Sequence, residues 1–221
     1  MNTALYLRFK LFLTSSIGKK FVIALTGISL CGFLLEHCIG NLLLLHSNPN
    51  VYLEYAAFMG GNMIIRILEI GLFLGFGLHI FSALYVQTEN RTARPTRYIK
   101  QKRSAQSWLS RAMLFSGSLV FVFLVVHLGR FFVPHKVLHT SRVDLYQDAR
   151  LAFSQPMYVV LYVIAMVLLA VHLAHGVQSA LQTFGLKSAR TAGFIRVVGY
   201  CFAVMIPGLL ALIPVWIYFV G

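Results

Sequence analysis

Five long runs of apolar residues, separated by short polar segments, make up most of this chain. They cover residues 21–45, 62–86, 108–133, 157–184 and 194–220. An α-helix rises about 1.5 Å per residue, so a helix of about 20 apolar residues crosses the hydrocarbon core of a bilayer. Each run exceeds that length. The pattern therefore predicts an all-α integral membrane protein with five transmembrane helices.

The overall composition agrees with this assignment. Hydrophobic residues make up 58% of the 221 positions and charged residues 11%, whereas soluble domains carry about 45–50% and about 25%. The polar segments between the runs are all too short to form a soluble domain. The sequence therefore predicts a single membrane domain over residues 1–221.

The charge is strongly positive, and its distribution along the chain is uneven. The formal net charge is +13, from 19 Lys and Arg against 6 Asp and Glu. Basic residues concentrate in the N-terminal arm (8–20), the second loop (91–111) and the fourth loop (187–196), while the first loop (46–61) has none. Because cytoplasmic loops carry the excess of Lys and Arg, the N-terminus is predicted to be cytoplasmic and the C-terminus outside.

A net charge of this size also occurs in nucleic-acid-binding proteins. In this chain the basic residues flank predicted membrane helices, where membrane topology and attraction to anionic lipid headgroups account for them. We therefore expect membrane lipids, and no nucleic acid, as partners. The same basic face would also suit an acidic soluble subunit.

Three cysteines, Cys31, Cys38 and Cys201, all lie within apolar runs. They form no CxxC pair, so the sequence predicts neither a disulfide framework nor an iron–sulfur cluster. The first apolar run is too long for a cleavable signal peptide and is followed by no small-residue cleavage site. It is therefore predicted to remain in the protein as the first span.

Histidines carry the clearest chemical signal in the sequence. The chain has eight, and five of them lie within predicted spans: His37, His79, His127, His172 and His175. An ionisable group inside a membrane is costly and marks a functional candidate. An interhelical hydrogen bond would account for a single membrane histidine. Histidines on four separate helices at matched depths favour shared ligation of a cofactor instead.

The predicted topology sorts these histidines into two levels. Spans one and three run outward, and His37 and His127 fall in their outer halves. Spans two and four run inward, and His79 falls in the inner half, with His172 and His175 at or below the middle. Two imidazoles from facing helices at each level form the arrangement that holds two haems stacked across a helix bundle.

Imidazole suits haem ligation inside a bilayer because it is a good iron ligand and enters the hydrocarbon without net charge. Two imidazoles fill both axial positions, so the iron carries electrons and does not bind oxygen. Glycines near the histidines would leave room for a flat macrocycle, although glycine is also common where membrane helices pack closely. Depth alone slightly favours His175 over His172 as the partner of His79.

Four histidine-containing segments resemble those of a known family. They read FLLEHCIGN (33–41), GLHIFSALYV (77–86), VVHLGRFF (125–132) and VHLAHGVQSALQTFGL (171–186). Their order and spacing are similar to those of the five-helix, dihaem cytochrome b subunit of bacterial succinate:menaquinone oxidoreductases and quinol:fumarate reductases. The resemblance covers essentially the whole chain, and the last segment is the most specific.

The resemblance implies two b-type haems enclosed by the five-helix bundle. His37 and His127 would ligate the distal, outer haem, and His79 and His172 the proximal, inner haem, with His175 in a supporting role. The resemblance also implies a bacterial cytoplasmic membrane location, flavoprotein and iron–sulfur subunits on the cytoplasmic face, and menaquinone as the reaction partner. The chain would carry electrons, while the succinate chemistry would lie in a partner subunit.

Haem propionates bind cationic side chains, and the sequence offers candidates at both levels. Arg130, one turn past His127, is expected at the distal haem, with His135 and Arg66 as further candidates. The candidates at the inner haem are Lys20, Arg91 and Arg94. Each of these side chains could instead reach the membrane surface from a helix end without binding a propionate.

Quinone chemistry moves protons together with electrons, so an acidic residue is expected near the distal haem. Glu54 is the predicted catalytic residue, because the resemblance aligns the first loop with a region in which a family member carries its quinol-oxidising glutamate. Glu69 is expected to pair with Arg66. Glu36 adjoins His37 in sequence but points about 100° away from it on a helix.

Other functions stay open at the level of sequence. They are the dihaem cytochrome b anchor of a membrane hydrogenase or formate dehydrogenase, a histidine-containing transporter or proton channel, and a purely structural anchor. Transporters usually show broken helices and an internal repeat, and only Pro207 and Pro214 offer breaks here. Residues 168–173 lack the glutamate that serves a proton path in some family members, which favours operation as a succinate dehydrogenase.

Overall fold

Helices follow one another along the whole described chain. The computed structural model describes residues 3–92, 105–139 and 144–220. Its α-helices are α1 (Thr3–Thr14), α2 (Ser16–Leu42), α3 (Pro49–Gly61), α4 (Met63–Thr92), α5 (Ala105–His127), α6 (Leu145–Phe153), α7 (Pro156–Thr183) and α8 (Ala192–Val220). A 3-10 turn (Leu43–Leu45) extends α2, and a π-helical segment (Leu128–Val137) extends α5. These three ranges contain no strand, so the predicted all-α class is confirmed.

Five of these helical stretches are long and apolar enough to cross a membrane. They are Ser16–Leu45, Met63–Asn90, Ala112–Val137, Pro156–Thr183 and Ala192–Val220. The predicted number of spans is confirmed, and their ends differ from the predicted ones by a few residues. The first span begins earlier than predicted because the Ser15 side chain accepts a hydrogen bond from the Gly18 N–H at 3.0 Å and caps the helix.

Short helices occupy two of the segments that were predicted to be polar loops. α3 lies in the first loop and α6 in the third. Asn48 caps α3 and Asp144 caps α6 by accepting backbone hydrogen bonds at 3.0 and 2.8 Å. Tyr52 of α3 and Phe153 of α6 are buried in one hydrophobic cluster. Because this packing joins segments far apart in sequence, the polar composition of the loops did not reveal the helices.

The third span changes to a wider helix directly after His127. In a π-helix the backbone N–H bonds to the carbonyl five residues earlier, as the Leu138 N–H does with Val133 at 2.9 Å. Pro134 lies inside the segment and has no N–H to donate. Such turns are rare and occur mostly at functional sites. This one begins next to a predicted haem ligand.

The spanning helices do not all pack directly against one another. α7 packs against α8, α5 and α2, while α4 packs against α2 and α3. Across the described residues, neither α2 nor α4 makes an extensive contact with α5. We call the region bordered by α2, α4, α5 and α7 the central slot. Each of these four helices carries one of the four predicted haem ligands.

The outer surface of the bundle is apolar, as expected for contact with lipid. On α4, for example, Ile67 is 63% exposed and Phe81 is 70% exposed, and an apolar surface of this extent suits hydrocarbon rather than water. Pro207 and Pro214 of α8 are among the most fully buried side chains. α8 continues through both prolines, so they do not break the fifth span.

Candidate cofactor site

His37 of α2 and His127 of α5 face each other across the end of the central slot nearest to α3 and α6; we call them the outer pair. Their ring centroids are 5.8 Å apart, and the ring planes make an angle of 85°. A metal atom held at about 2 Å from one nitrogen of each ring would separate the centroids by about 6 Å. The two imidazoles therefore lie at the separation that two axial ligands of one iron atom require.

Neighbouring polar side chains engage one nitrogen of each ring in the outer pair. Tyr162 Oη lies 2.9 Å from His127 Nδ1, and Asn41 Nδ2 lies 3.3 Å from His37 Nδ1. When Nδ1 donates its hydrogen atom to such a partner, as it can to the Tyr162 hydroxyl, Nε2 is the nitrogen left for a metal, and the partner fixes the orientation of the ring. Phe123 stacks on His127 and keeps its surroundings apolar.

His79 of α4 and His172 of α7 are the other two predicted ligands, and we call them the inner pair. Thr26 Oγ1 lies 3.1 Å from His79 Nδ1. His172 Nδ1 is buried and has no hydrogen-bond partner among the described residues. A buried polar atom left without a partner costs about 1–3 kcal/mol. A ligand from outside the polypeptide, bound to this imidazole, would offset that cost.

Both rings of the inner pair lie against a glycine of an adjacent helix. A Cβ atom placed on Gly27 of α2 would lie 3.2 Å from His79 Cε1, and one placed on Gly117 of α5 would lie 3.2 Å from His172 Cε1. The sequence pattern pointed to glycines close to the histidines along the chain. The glycines that actually touch the inner pair lie on other helices, which sequence spacing does not reveal.

His175, the alternative to His172, lies in different surroundings. It lines a small cavity between α7 and α8, together with Gln178, Lys187 and Tyr200. His172 instead faces Gly117 of α5, across the central slot. The structure therefore places His172, and not His175, beside the slot.

The donor set around the slot fits haem iron better than a bare metal ion. The described ranges contain no group of three or more His, Cys, Asp or Glu side chains that could enclose a metal ion. Haem iron takes only two protein ligands, because the porphyrin supplies the other four nitrogens. Four half-buried histidines, one from each of four helices, form two pairs. These two pairs match that requirement at two levels of the bundle.

Arg130, predicted to bind a propionate of the outer haem, forms a buried ion pair with Asp148 of α6. Its guanidinium donates to both carboxylate oxygens, at 2.6 and 2.7 Å, and His135 Nε2 lies 3.0 Å from one of them. Burial raises the pKa of Asp148, but hydrogen bonds from Arg130 and His135 outweigh this and hold the pKa below its usual value. The sequence analysis missed Asp148, whose partners lie in a different segment.

The other predicted propionate ligands have varied surroundings. Arg66 pairs with Glu69 at 3.4 Å, as predicted. Lys20 is exposed on α2. Arg94 and the side chain of Arg91 lie outside the part of the chain that the structure describes.

Two acidic residues lie near the outer pair, and they differ in their contacts. Glu54 is exposed on α3. Glu36 accepts a hydrogen bond from the hydroxyl of Tyr55, and the Tyr55 ring lies against Gly40. Burial and the hydrogen bond to Glu36 both raise the pKa of Tyr55. The sequence placed Glu36 beside His37, but Tyr55 as its partner is visible only in the structure.

Comparison with known families gives one match. The model of the succinate dehydrogenase/fumarate reductase transmembrane subunit matches residues 87–207, more than half of the chain. The matched region contains His127 and His172, one histidine from each pair. No curated protein and no solved structure matches the chain. With five apolar helices long enough to cross a membrane, the chain belongs to the family of multi-pass transmembrane subunits that anchor succinate dehydrogenase and fumarate reductase.

Proposed function

We propose that this membrane-anchor subunit carries electrons between the iron–sulfur subunit of a succinate dehydrogenase and menaquinone, by way of two haem b groups. One observation carries the proposal: each of the four helices around the central slot contributes one histidine, and the ring centroids of His37 and His127 lie 5.8 Å apart. Membership of the family favours this complex over a hydrogenase or a formate dehydrogenase. A histidine relay in a transporter would not require two imidazoles at the separation of two axial ligands of one metal atom.

Each pair of histidines would ligate one haem. The outer pair, His37 and His127, would hold the distal haem, and the inner pair, His79 and His172, would hold the proximal haem. A haem bound between two imidazoles supplies one-electron transfer. The contribution of the chain is to keep each imidazole neutral, correctly oriented and shielded from water, which the apolar helices around the slot support.

Arg130 would bind a propionate of the distal haem in addition to Asp148. A guanidinium group has five N–H donors, and the bidentate pair with Asp148 uses two of them. The carboxylate would hold the guanidinium in place while the remaining donors reach the propionate. This arrangement would also link the distal haem to α6 through a continuous set of charged hydrogen bonds.

The proposed complex lies in a bacterial cytoplasmic membrane, with the N-terminus of this chain in the cytoplasm and its C-terminus outside. The flavoprotein and iron–sulfur subunits would bind on the cytoplasmic face, nearest to the inner pair. The basic N-terminal arm and second loop support this placement, because they offer positive charge to a soluble partner. Succinate would react in the flavoprotein and menaquinone near the outer pair.

Purification of the complex from haem-replete cells tests the proposal. The preparation should be red, with a reduced-minus-oxidised spectrum of the b type, two haems per chain and succinate dehydrogenase activity that co-purifies with it. A colourless, haem-free preparation would reject the cytochrome function. Two haems without any succinate-oxidising partner would point instead to a different membrane oxidoreductase.

Glu54 is the proposed proton-transferring residue at the quinone. It offers a free carboxylate on α3, at the end of the bundle that holds the outer pair. Positioned acid–base groups contribute about 10²–10⁴-fold to rate, so Glu54→Gln should lower menaquinone-linked turnover by about 10²-fold while succinate oxidation by an artificial acceptor stays intact. Glu69→Gln is the control, because Glu69 is paired with Arg66. An equal loss in both assays would reject the role of Glu54.

The Glu36–Tyr55 pair is the second candidate for the same step, because it joins a carboxyl and a phenol directly beside His37. Tyr55→Phe removes the hydroxyl and keeps the ring against Gly40. If Tyr55→Phe lowers menaquinone-linked turnover and Glu54→Gln does not, the role passes from Glu54 to this pair.

A further inference from the structure

We infer that Gly27 and Gly117 are positioning residues for the inner pair, because each leaves the space in which an imidazole lies against the neighbouring helix. The inference rests on the proposed function, since it concerns how the chain presents His79 and His172 to a haem. It extends that function by assigning a role to two residues that bind no ligand themselves.

The contacts at the two glycines are specific and tight. A Cβ atom on Gly27 would lie 3.2 Å from His79 Cε1 and 3.7 Å from its Nδ1. A Cβ atom on Gly117 would lie 3.2 Å from His172 Cε1 and 3.4 Å from its Nδ1. At 3.2 Å a methyl group forces its neighbour to move by a few tenths of an ångström. In each case the neighbour is the imidazole of a proposed haem ligand.

In both contacts, an imidazole lies against a glycine of an adjacent helix, in different parts of the bundle. His79 of α4 lies against α2, and His172 of α7 lies against α5. These are helix pairs that pack directly on each other. Each ring is therefore held between its own helix and the backbone of an adjacent one. This contact between a histidine ring and a glycine occurs twice, on both sides of one proposed haem.

Close helix packing, the usual reason for glycine in membrane helices, does not explain this pattern. On α2, a Cβ atom on Gly32 would meet no heavy atom within 4 Å among the described residues, and the same holds for Gly129 after α5. Gly40, near the outer pair, leaves space for Tyr55 and not for a histidine. Gly27 and Gly117 thus differ from these glycines because each contacts the imidazole of a proposed haem ligand.

A displaced imidazole has a measurable consequence for a bound haem. Ring position and tilt set the strength of the bond from nitrogen to iron, and the two oxidation states of the iron differ in how strongly they depend on it. A methyl group at Gly27 or Gly117 should therefore change the midpoint potential of the inner haem. A larger, β-branched side chain should prevent ligation.

The test uses the complete complex with Gly27→Ala, Gly27→Val, Gly117→Ala and Gly117→Val, and with Gly32→Ala and Gly32→Val as matched controls on α2. Haem per chain and the midpoint potential of each haem are the readouts. A His37→Ala background, in which only the inner haem remains, assigns the signals. The alanine variants should keep two haems and shift only the inner potential, by about 59 mV for each tenfold change in relative ligation of the two oxidation states. The valine variants should drop from two haems to one.

Several outcomes would overturn the inference. One is an inner-haem potential that stays unchanged in both alanine variants, which decides the matter even if the valine variants fail to assemble. Another is an equal shift of both haems, or the same effect from Gly32→Ala, since either would mark general destabilisation. Wild-type complex without haem would instead reject the proposed function itself.

Discussion

The outer and inner pairs use the same two side chains, yet their surroundings differ. Around His37 and His127, polar side chains reach the ring nitrogens, and the charged network of Arg130 and Asp148 lies close by. Around His79 and His172, two glycines lie against the rings, the Thr26 hydroxyl lies 3.1 Å from His79 Nδ1, and one buried ring nitrogen has no partner within the described chain. Hydrogen bonds orient both ligands at the outer end, whereas the inner end combines one hydrogen bond with the shape of the backbone.

This difference fits the two tasks that we propose for the two ends. At the outer end electrons and protons must meet, and polar side chains can transfer protons as well as orient a ring. At the inner end only electrons pass, so an apolar site shaped by close packing suffices. The comparison therefore predicts that hydroxyl and charge substitutions act mainly on the outer haem, and that changes of side-chain size act mainly on the inner haem.

Removal of a ligand should have the largest effect and would test whether the pairs are independent. His127→Ala should lose the outer haem and keep the inner one, and His172→Ala should do the reverse, because each variant leaves one pair complete. Haem per chain, measured on the purified complex, should fall from two to one in both cases. Unchanged haem content in His172→Ala would transfer the ligand role to His175.

The ion pairs at the two ends should contribute very differently to stability. Asp148→Asn removes one partner of a buried pair, in which Asp148 is 7% and Arg130 28% exposed, so the free energy of unfolding should fall by about 3 kcal/mol. At the other end, Glu89 is 43% exposed in its pair with Lys19 at 2.6 Å, so Glu89→Gln should have a much smaller effect than Asp148→Asn. Unfolding in detergent measures both, and equal effects would contradict the difference in burial.

The ion pair between Arg130 and Asp148 also predicts how the stability of the protein depends on pH. Hydrogen bonds hold the pKa of Asp148 below its usual value, despite burial, so the stabilisation is present above the unfolded pKa of about 3.9. It should be lost as the pH falls from about 4 through the lower pKa of the folded state. The Asp148→Asn variant should lack this part of the loss of stability at low pH. A variant with the same acid profile as wild type would rule out Asp148 as its source.

Hydrogen bonds to the ligands should give a smaller effect, unequal at the two ends. Tyr162→Phe removes the only side-chain hydrogen bond found for His127 in the described chain, and loss of such a partner typically lowers metal affinity by about 10–100-fold. Thr26→Val should change His79 less, because the Thr26 hydroxyl also bonds to backbone carbonyls of its own helix. Redox titration and haem retention in detergent compare the two variants. A larger effect of Thr26→Val would reverse the proposed difference between the ends.

Much of the fold was predictable because membrane insertion depends on local composition. The five spans and the all-α class follow from the length of the apolar runs, and the pairing of Arg66 with Glu69 follows from their spacing on one helix. Candidate ligands were predictable because placing an ionisable histidine side chain inside a bilayer costs free energy, so such a residue indicates a function.

Contacts between helices were not predictable from the sequence. Asp148 lies in a segment that was predicted to be a polar loop, and its partner Arg130 lies in the π-helical turn after His127. Gly27 and Gly117 looked like any other glycines, because their histidines lie on other helices. Such relations depend on the rotation and spacing of whole helices, which local composition does not specify.

The weak attachment of α4 has a consequence for biosynthesis. Among the residues that the structure describes, α4 contacts only α2 and α3 extensively, and no residue of its apolar span is buried by them. Lipid tails are as apolar as the side chains of a helix, so the hydrophobic effect does not hold such a helix in place. The bundle is thus least closed on the side of α4, which faces the bilayer, where an apolar macrocycle dissolves. Attachment of α4 to the bundle would then be completed during biosynthesis by the haem that His79 is proposed to ligate.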